Sequence, residues 1–165
     1  MSLRITSSEI ALQNPLSDSQ MKLLFTFTLK SLKGTSEYKT FSKKLGVPKS
    51  VELHFCDDRE MRSYQKRFRK LDRTTDVLSF PSLESPSNSE KNFLGSIIVS
   101  LPSVKKNAKR YKKTFQVEMA AVCVHGILHL FGFDHVKVSK LKRERMRKIQ
   151  KEILSNLLDL INEAA

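Results

Sequence analysis

The stretch "FQVEMAAVCVHGILHLFGFDH", residues 115–135, holds three of the chain's four histidines, and the rest of the fold must be arranged around it. Residues 115–131 are apolar almost all round, the composition of a helix enclosed by its neighbours. From Val117 to Phe131, Cys123 apart, the only titratable polar residues are Glu118, His125 and His129. At 100° per residue His129 falls ~40° from His125 and ~6 Å along the axis, while Glu118 falls ~20° to the other side. All three therefore share one narrow stripe, and burying it is costly unless something satisfies it.

A metal ion is the economical partner. Imidazoles at i and i+4 converge on one point, and Gly132, one turn later, stops the helix in a conformation with φ > 0. The chain then swings back, so that His135 delivers a third nitrogen from outside the helix. Three neutral imidazoles leave a tetrahedral Zn²⁺ one position for water, the open arrangement of a catalytic site. One zinc per chain is expected. Other divalent transition metals suit the same donors, because affinity alone follows the Irving–Williams order. The competing arrangement is a closed, non-catalytic site with Asp134 or another residue as fourth ligand. Glu118 is a candidate either to orient a histidine or to pair with a nearby Lys or Arg, and Asp134 is a candidate turn or supporting residue.

Working outward, the chain reads as one domain over residues 1–165. "SLRIT" reads as a short first strand. Ser17 and Gln20 form a capping-box pattern that starts a helix, ending near Gly34. "SVELHFC" (50–56) alternates as a half-buried strand, with His54 an ordinary histidine on its polar side. Asp57 or Asp58 caps a helix over 59–69. Strands follow at 75–81 and 93–100, separated by a Pro/Ser-rich stretch, 81–92, expected to be a mobile loop. Helices are expected at 102–112, 115–131 and 138–162, the last turning Met146, Ile149, Ile153, Leu157 and Ile161 inward. Strands and helices mix without strict alternation, which gives an α+β fold: a small mixed sheet surrounded by helices.

Charge points to the class of partner. Thirty Lys and Arg stand against seventeen Asp and Glu, a net +13, concentrated in residues 64–70, 105–113 and 140–151. Such clusters attract polyanions, RNA or DNA; Lys66, Arg67, Arg69, Lys70, Lys105, Lys106, Lys109 and Arg110 are the candidate contacts. A membrane surface fits less well, since these segments lack an aromatic apolar face opposite the charge. No apolar run is long enough to span a bilayer, and the first twenty residues lack a signal or transit layout. Cys56 and Cys123, without CxxC spacing, read as buried free thiols in a reducing compartment. A cytoplasmic location is expected.

At its histidines and Gly132 the motif is similar to the metzincin pattern H-E-x-x-H-x-x-G-x-x-H, but Gly126 stands where that pattern has its general-base glutamate. With glycine there, "HGILHLFGFDH" resembles the YbeY family, metal-dependent single-strand endoribonucleases of ribosomal RNA maturation. "FRKLDRTTDVLSFP" (68–81) resembles that family's arginine segment leading into T-D/N-V-L-S-F. Met146, Gln150, Ile153 and Leu154 repeat the spacing of its terminal helix. The resemblance implies that His125, His129 and His135 are metal ligands and that Arg69 meets the substrate, all four being catalytic. It also implies single-stranded RNA as substrate, ribosomal RNA and the small ribosomal subunit as targets, and a part in ribosome quality control. The sequence departs from the family pattern at Ser96, in place of an aspartate, at Tyr64-Gln65, and at Phe133. A metzincin-like peptidase and a non-catalytic RNA- or ribosome-binding protein with a structural zinc are the alternatives.

Overall fold

A computed structural model describes residues 2–7, 13–84, 91–134 and 138–163. Four strands, β1 (Ser2–Ser7), β2 (Ser50–Cys56), β3 (Val77–Pro81) and β4 (Phe93–Ser100), form one sheet in the order β1-β2-β4-β3. β1, β2 and β4 run parallel, and β3 pairs antiparallel to β4 at one edge. Among the described residues, six helices surround it: α1 (Asp18–Leu32), α2 (Ser36–Leu45), α3 (Asp58–Tyr64), α4 (Leu101–Arg110), α5 (Phe115–Leu130) and α6 (Lys140–Glu163). The protein is α+β, as its patterning predicts.

Strand alternation sorts the core. Val51, Leu53 and Phe55 on β2 join Ile97 and Val99 on β4 in the main cluster, together with Met21, Leu24 and Phe25 of α1 and much of α5. The opposite face carries a smaller cluster of Cys56, Met61, Leu78 and Ile98 under α3. α5 lies at the centre, touching α1, α4, α6, β3 and β4, which is why it is apolar all round. Met146, Ile153, Leu157 and Ile161 are buried along α6, and Ile149 is partly buried.

Caps set several boundaries. Ser17 and Gln20 close the expected capping box at α1: the Ser17 amide donates to Gln20 Oε1 (2.9 Å), and the Gln20 amide donates to Ser17 Oγ (3.3 Å). Asp57 caps α3, its Oδ1 accepting from the Glu60 amide at 2.7 Å. Asp58 has a different task. Its carboxylate accepts hydroxyls from Ser100 (2.5 Å) and Ser103 (2.6 Å), tying α3 to the start of α4. Burial raises the Asp58 pKa, but the hydrogen bonds from Ser100, Ser103 and Thr74 outweigh it, leaving a net lowering. Cys56 and Cys123 are buried free thiols, burial pushing each up to about 12.

The patterning missed two elements. α2 shows only Tyr38 and Phe41 buried, an apolar stripe too narrow to register as a helix. The helix expected over 59–69 divides instead: α3 ends at Tyr64, and Gln65–Arg69 forms a wider π-turn closed by Lys70 in the left-handed region, φ 59°. The stretch 81–92 is not wholly loop. Pro81 completes β3 and Ser82–Glu84 forms a 3₁₀ turn; residues 85–90 lie outside the described set. Among the described residues, no helix is long and apolar enough to cross a membrane.

Candidate active site

Thr114 starts α5, its Oγ1 accepting from the Val117 amide at 3.2 Å. From that start, helical geometry brings His125 and His129 onto a groove of about 1270 Å³. One wall is α5, and the other is the outer edge of β3 with the π-turn. Gln65, Arg69 and Arg73 line it on that side, Tyr111, Lys113 and Glu118 at one end, and Gly132, Phe133 and Asp134 at the other.

The two imidazoles converge. His125 Nε2 and His129 Nε2 stand 3.1 Å apart. Two nitrogens ~2.0–2.1 Å from one tetrahedral zinc would stand about 3.3 Å apart, so the pair fits a shared ion. Gln150 on α6 fixes the ring orientation. Its Nε2 donates to the Ala121 carbonyl at 3.4 Å, so its Oε1, 3.0 Å from His125 Nδ1, is left to accept. That assignment places the ring proton on Nδ1 and leaves the Nε2 lone pair facing the groove. Gly132 has φ 87°, the conformation expected for the turn after α5. His135 lies outside the described residues. Among the described residues no third His, Cys, Asp or Glu joins the pair.

Gly126 faces the sheet. A Cβ there would come within 3.0 and 3.1 Å of Ile97 carbons and 3.4 Å of Ser79 Oγ. Ser79 Oγ also donates to the Gly126 carbonyl at 3.3 Å. A side chain in this slot would press on Ile97, so the close packing of α5 on the sheet disfavours the general base of a peptidase.

β3 contributes its free edge. The Ser100 amide donates to the Asp76 carbonyl at 2.9 Å, and the register pairs Leu78 with Ile98 and Phe80 with Ser96. Antiparallel alternation then turns the backbone groups of Val77 and Ser79 away from β4, toward the groove. Arg69 reaches this edge, its Nη2 donating to the Ser79 carbonyl at 3.3 Å.

Other expected residues fall in different places. Glu118 is buried and its carboxylate lies 3.4 Å from Lys113 Nζ; the side chain on His125 is Gln150. Asp134 is exposed at the groove's end. Of the eight cationic residues expected to meet RNA, Arg69 lines the groove, whereas Lys66, Arg67, Lys70, Lys105, Lys106, Lys109 and Arg110 do not. Arg73 and Lys113 line it instead. Gln150 carried a signal in the sequence, being the polar residue between Met146 and Ile153 on an otherwise inward-facing stripe. Arg73 and Lys113 carried none, since cations abound.

Comparison with known proteins decides the family. The family model described as "Endoribonuclease YbeY" matches residues 11–158. The chain belongs to the YbeY family. It is 41% identical to the YbeY endoribonuclease of Thermodesulfovibrio yellowstonii over 65% of its own length and 66% of that relative's. It is 32% identical to the Clostridium botulinum YbeY endoribonuclease over 73% of its length and 82% of the relative's. A Thermotoga maritima protein solved in solution superposes with a TM-score of 0.50 at 28% identity, covering 96% of this chain and 93% of that one. The Ser96 departure from the YbeY pattern falls outside the groove: Ser96 Oγ donates to Glu52 Oε2 at 2.9 Å on the other face of the sheet. Phe133 is buried at the groove's end, with the Arg145 guanidinium 5.2 Å from its ring centre.

Proposed function

We propose that this chain is a zinc-dependent endoribonuclease that cuts single-stranded RNA, acting on small-subunit ribosomal RNA during maturation and in ribosome quality control in the cytoplasm. The observation that carries the reading is the 3.1 Å approach of the His125 and His129 Nε2 atoms inside a groove that also holds Arg69. Membership of the YbeY family supports RNA as the substrate.

His125, His129 and His135 would hold the ion, with Gln150 keeping His125 in the tautomer that offers Nε2. Zinc, when bound, would make water nucleophilic near neutral pH and polarise a phosphoryl oxygen. Arg69 meets the negative charge that grows on the phosphoryl oxygens during in-line attack, its planar fork suited to two of them. The Ser79 carbonyl holds that guanidinium against β3 until substrate arrives. The outward amides of Val77 and Ser79, about 7 Å apart along the strand, offer neutral donors to the sugar–phosphate backbone.

The test is cleavage of a single-stranded RNA by the zinc-loaded protein. His129→Ala and added chelator should abolish cutting, and Arg69→Ala should slow it about 10²–10³-fold, the cost of one preorganised donor to a developing anion. Equal rates from wild type and His129→Ala would overturn the proposal. Casein hydrolysis with RNA left intact would favour the peptidase. RNA binding without turnover, with unfolding on chelation, would favour a structural zinc.

A further inference from the structure

We propose that Tyr111 is a stacking platform for a nucleobase of the bound strand, with Arg110 and Lys113 close by the ring to hold the adjacent phosphates. This deepens the RNA reading above and rests on it.

Tyr111 is 53% exposed, yet it lines the same groove as the histidines. Core packing does not account for a large ring left half in water. Two cations lie over the ring, the Arg110 guanidinium 5.8 Å from its centre and the Lys113 ammonium 5.9 Å. A half-exposed aromatic ring with cations close by along a groove is what sequence-tolerant single-strand binding requires, because every base has a face to stack and every nucleotide a phosphate to neutralise.

The platform is also held in place. Residues 111–114 connect α4 to α5, and three backbone hydrogen bonds fix the turn: Tyr111 to Asn107 (2.9 Å), Lys112 to Lys109 (3.2 Å) and Lys113 to Ala108 (2.9 Å). Lys112 takes the left-handed conformation, φ 55°, which reverses the chain at this point. Lys113 is anchored by the buried Glu118 carboxylate at 3.4 Å. Such preorganisation lowers the ordering cost of binding. Glu118 precedes His125 by seven residues, about 10 Å along the α5 axis. The stacked base therefore lies a short step along the strand from the bond that is cut.

The experiment measures binding of a fluorescent single-stranded RNA by anisotropy, with chelator present to prevent cleavage and thermal unfolding as a control for folding. Tyr111→Ala should weaken binding about 5- to 150-fold, the range for losing one stacked base, while Tyr111→Phe and Tyr111→Trp stay near wild type. An RNA with a single abasic nucleotide, moved along the strand, should erase the Tyr111→Ala deficit at one position. Should wild type and Tyr111→Ala bind equally well, the platform is wrong and the RNA reading stands. A Phe variant as weak as the Ala variant overturns stacking in favour of the hydroxyl. A folded wild type that binds no RNA sinks the reading on which the platform rests.

Discussion

A single amide gives the site its polarity. Gln150 donates to the Ala121 carbonyl and accepts from His125 Nδ1, so one side chain from α6 locks a ring on α5 and directs its lone pair outward. Replacing it by leucine keeps the volume and removes both bonds. Gln150→Leu should therefore keep the native fold while lowering zinc affinity about 10–100-fold, the usual effect of losing an orienting partner. Competition against a chelator of known affinity measures this. Unchanged affinity would show that the ring needs no such help.

α5 packs closely on the sheet at Gly126. Gly126 allows that approach, since a Cβ there would stand only 3.0 and 3.1 Å from carbons of Ile97. Filling the gap with a carboxylate overpacks the contact and buries a charge at once. Gly126→Glu should cost at least ~3 kcal/mol, a fall in melting temperature of about 6–12 °C for a domain of this size. It should gain no casein hydrolysis, although it completes the H-E-x-x-H spelling. Thermal unfolding with a protease assay checks both halves. The expected helix over 59–69 divides at a different contact: the π-turn at Gln65–Arg69 accompanies Arg69 Nη2 donating to the Ser79 carbonyl on β3, which no hydrophobic periodicity encodes.

Across the whole molecule, charge is abundant but unevenly useful. The net +13 draws a polyanion from any side, whereas among the described residues Arg69, Arg73 and Lys113 are the lysine and arginine residues that line the groove. Those three with Arg110, assigned to a phosphate beside Tyr111, make four cations at about 0.7 each, a slope of about −3 for log affinity of single-stranded RNA against log salt. Titrating binding between low and physiological salt tests it. A much steeper slope would bring the outer clusters at 105–109 and 140–151 into the footprint, and a flat one would remove phosphate contacts from the groove altogether.

What the sequence by itself determined is local: the capping box at Ser17 and Gln20, the alternation of β2, the apolar envelope of α5 and the i, i+4 placement of His125 beside His129. Each follows from spacing along one element, where helical or strand period alone sets which side chains share a face. Only the tertiary structure decided the rest. The parallel pairing of β1, β2 and β4, the exposure of β3 as an edge, the reach of Gln150 from α6 and the choice of Lys113 over seven other cations all depend on residues far apart in the chain. Their contacts are set by how the elements pack, and a period read along a single segment carries no record of that.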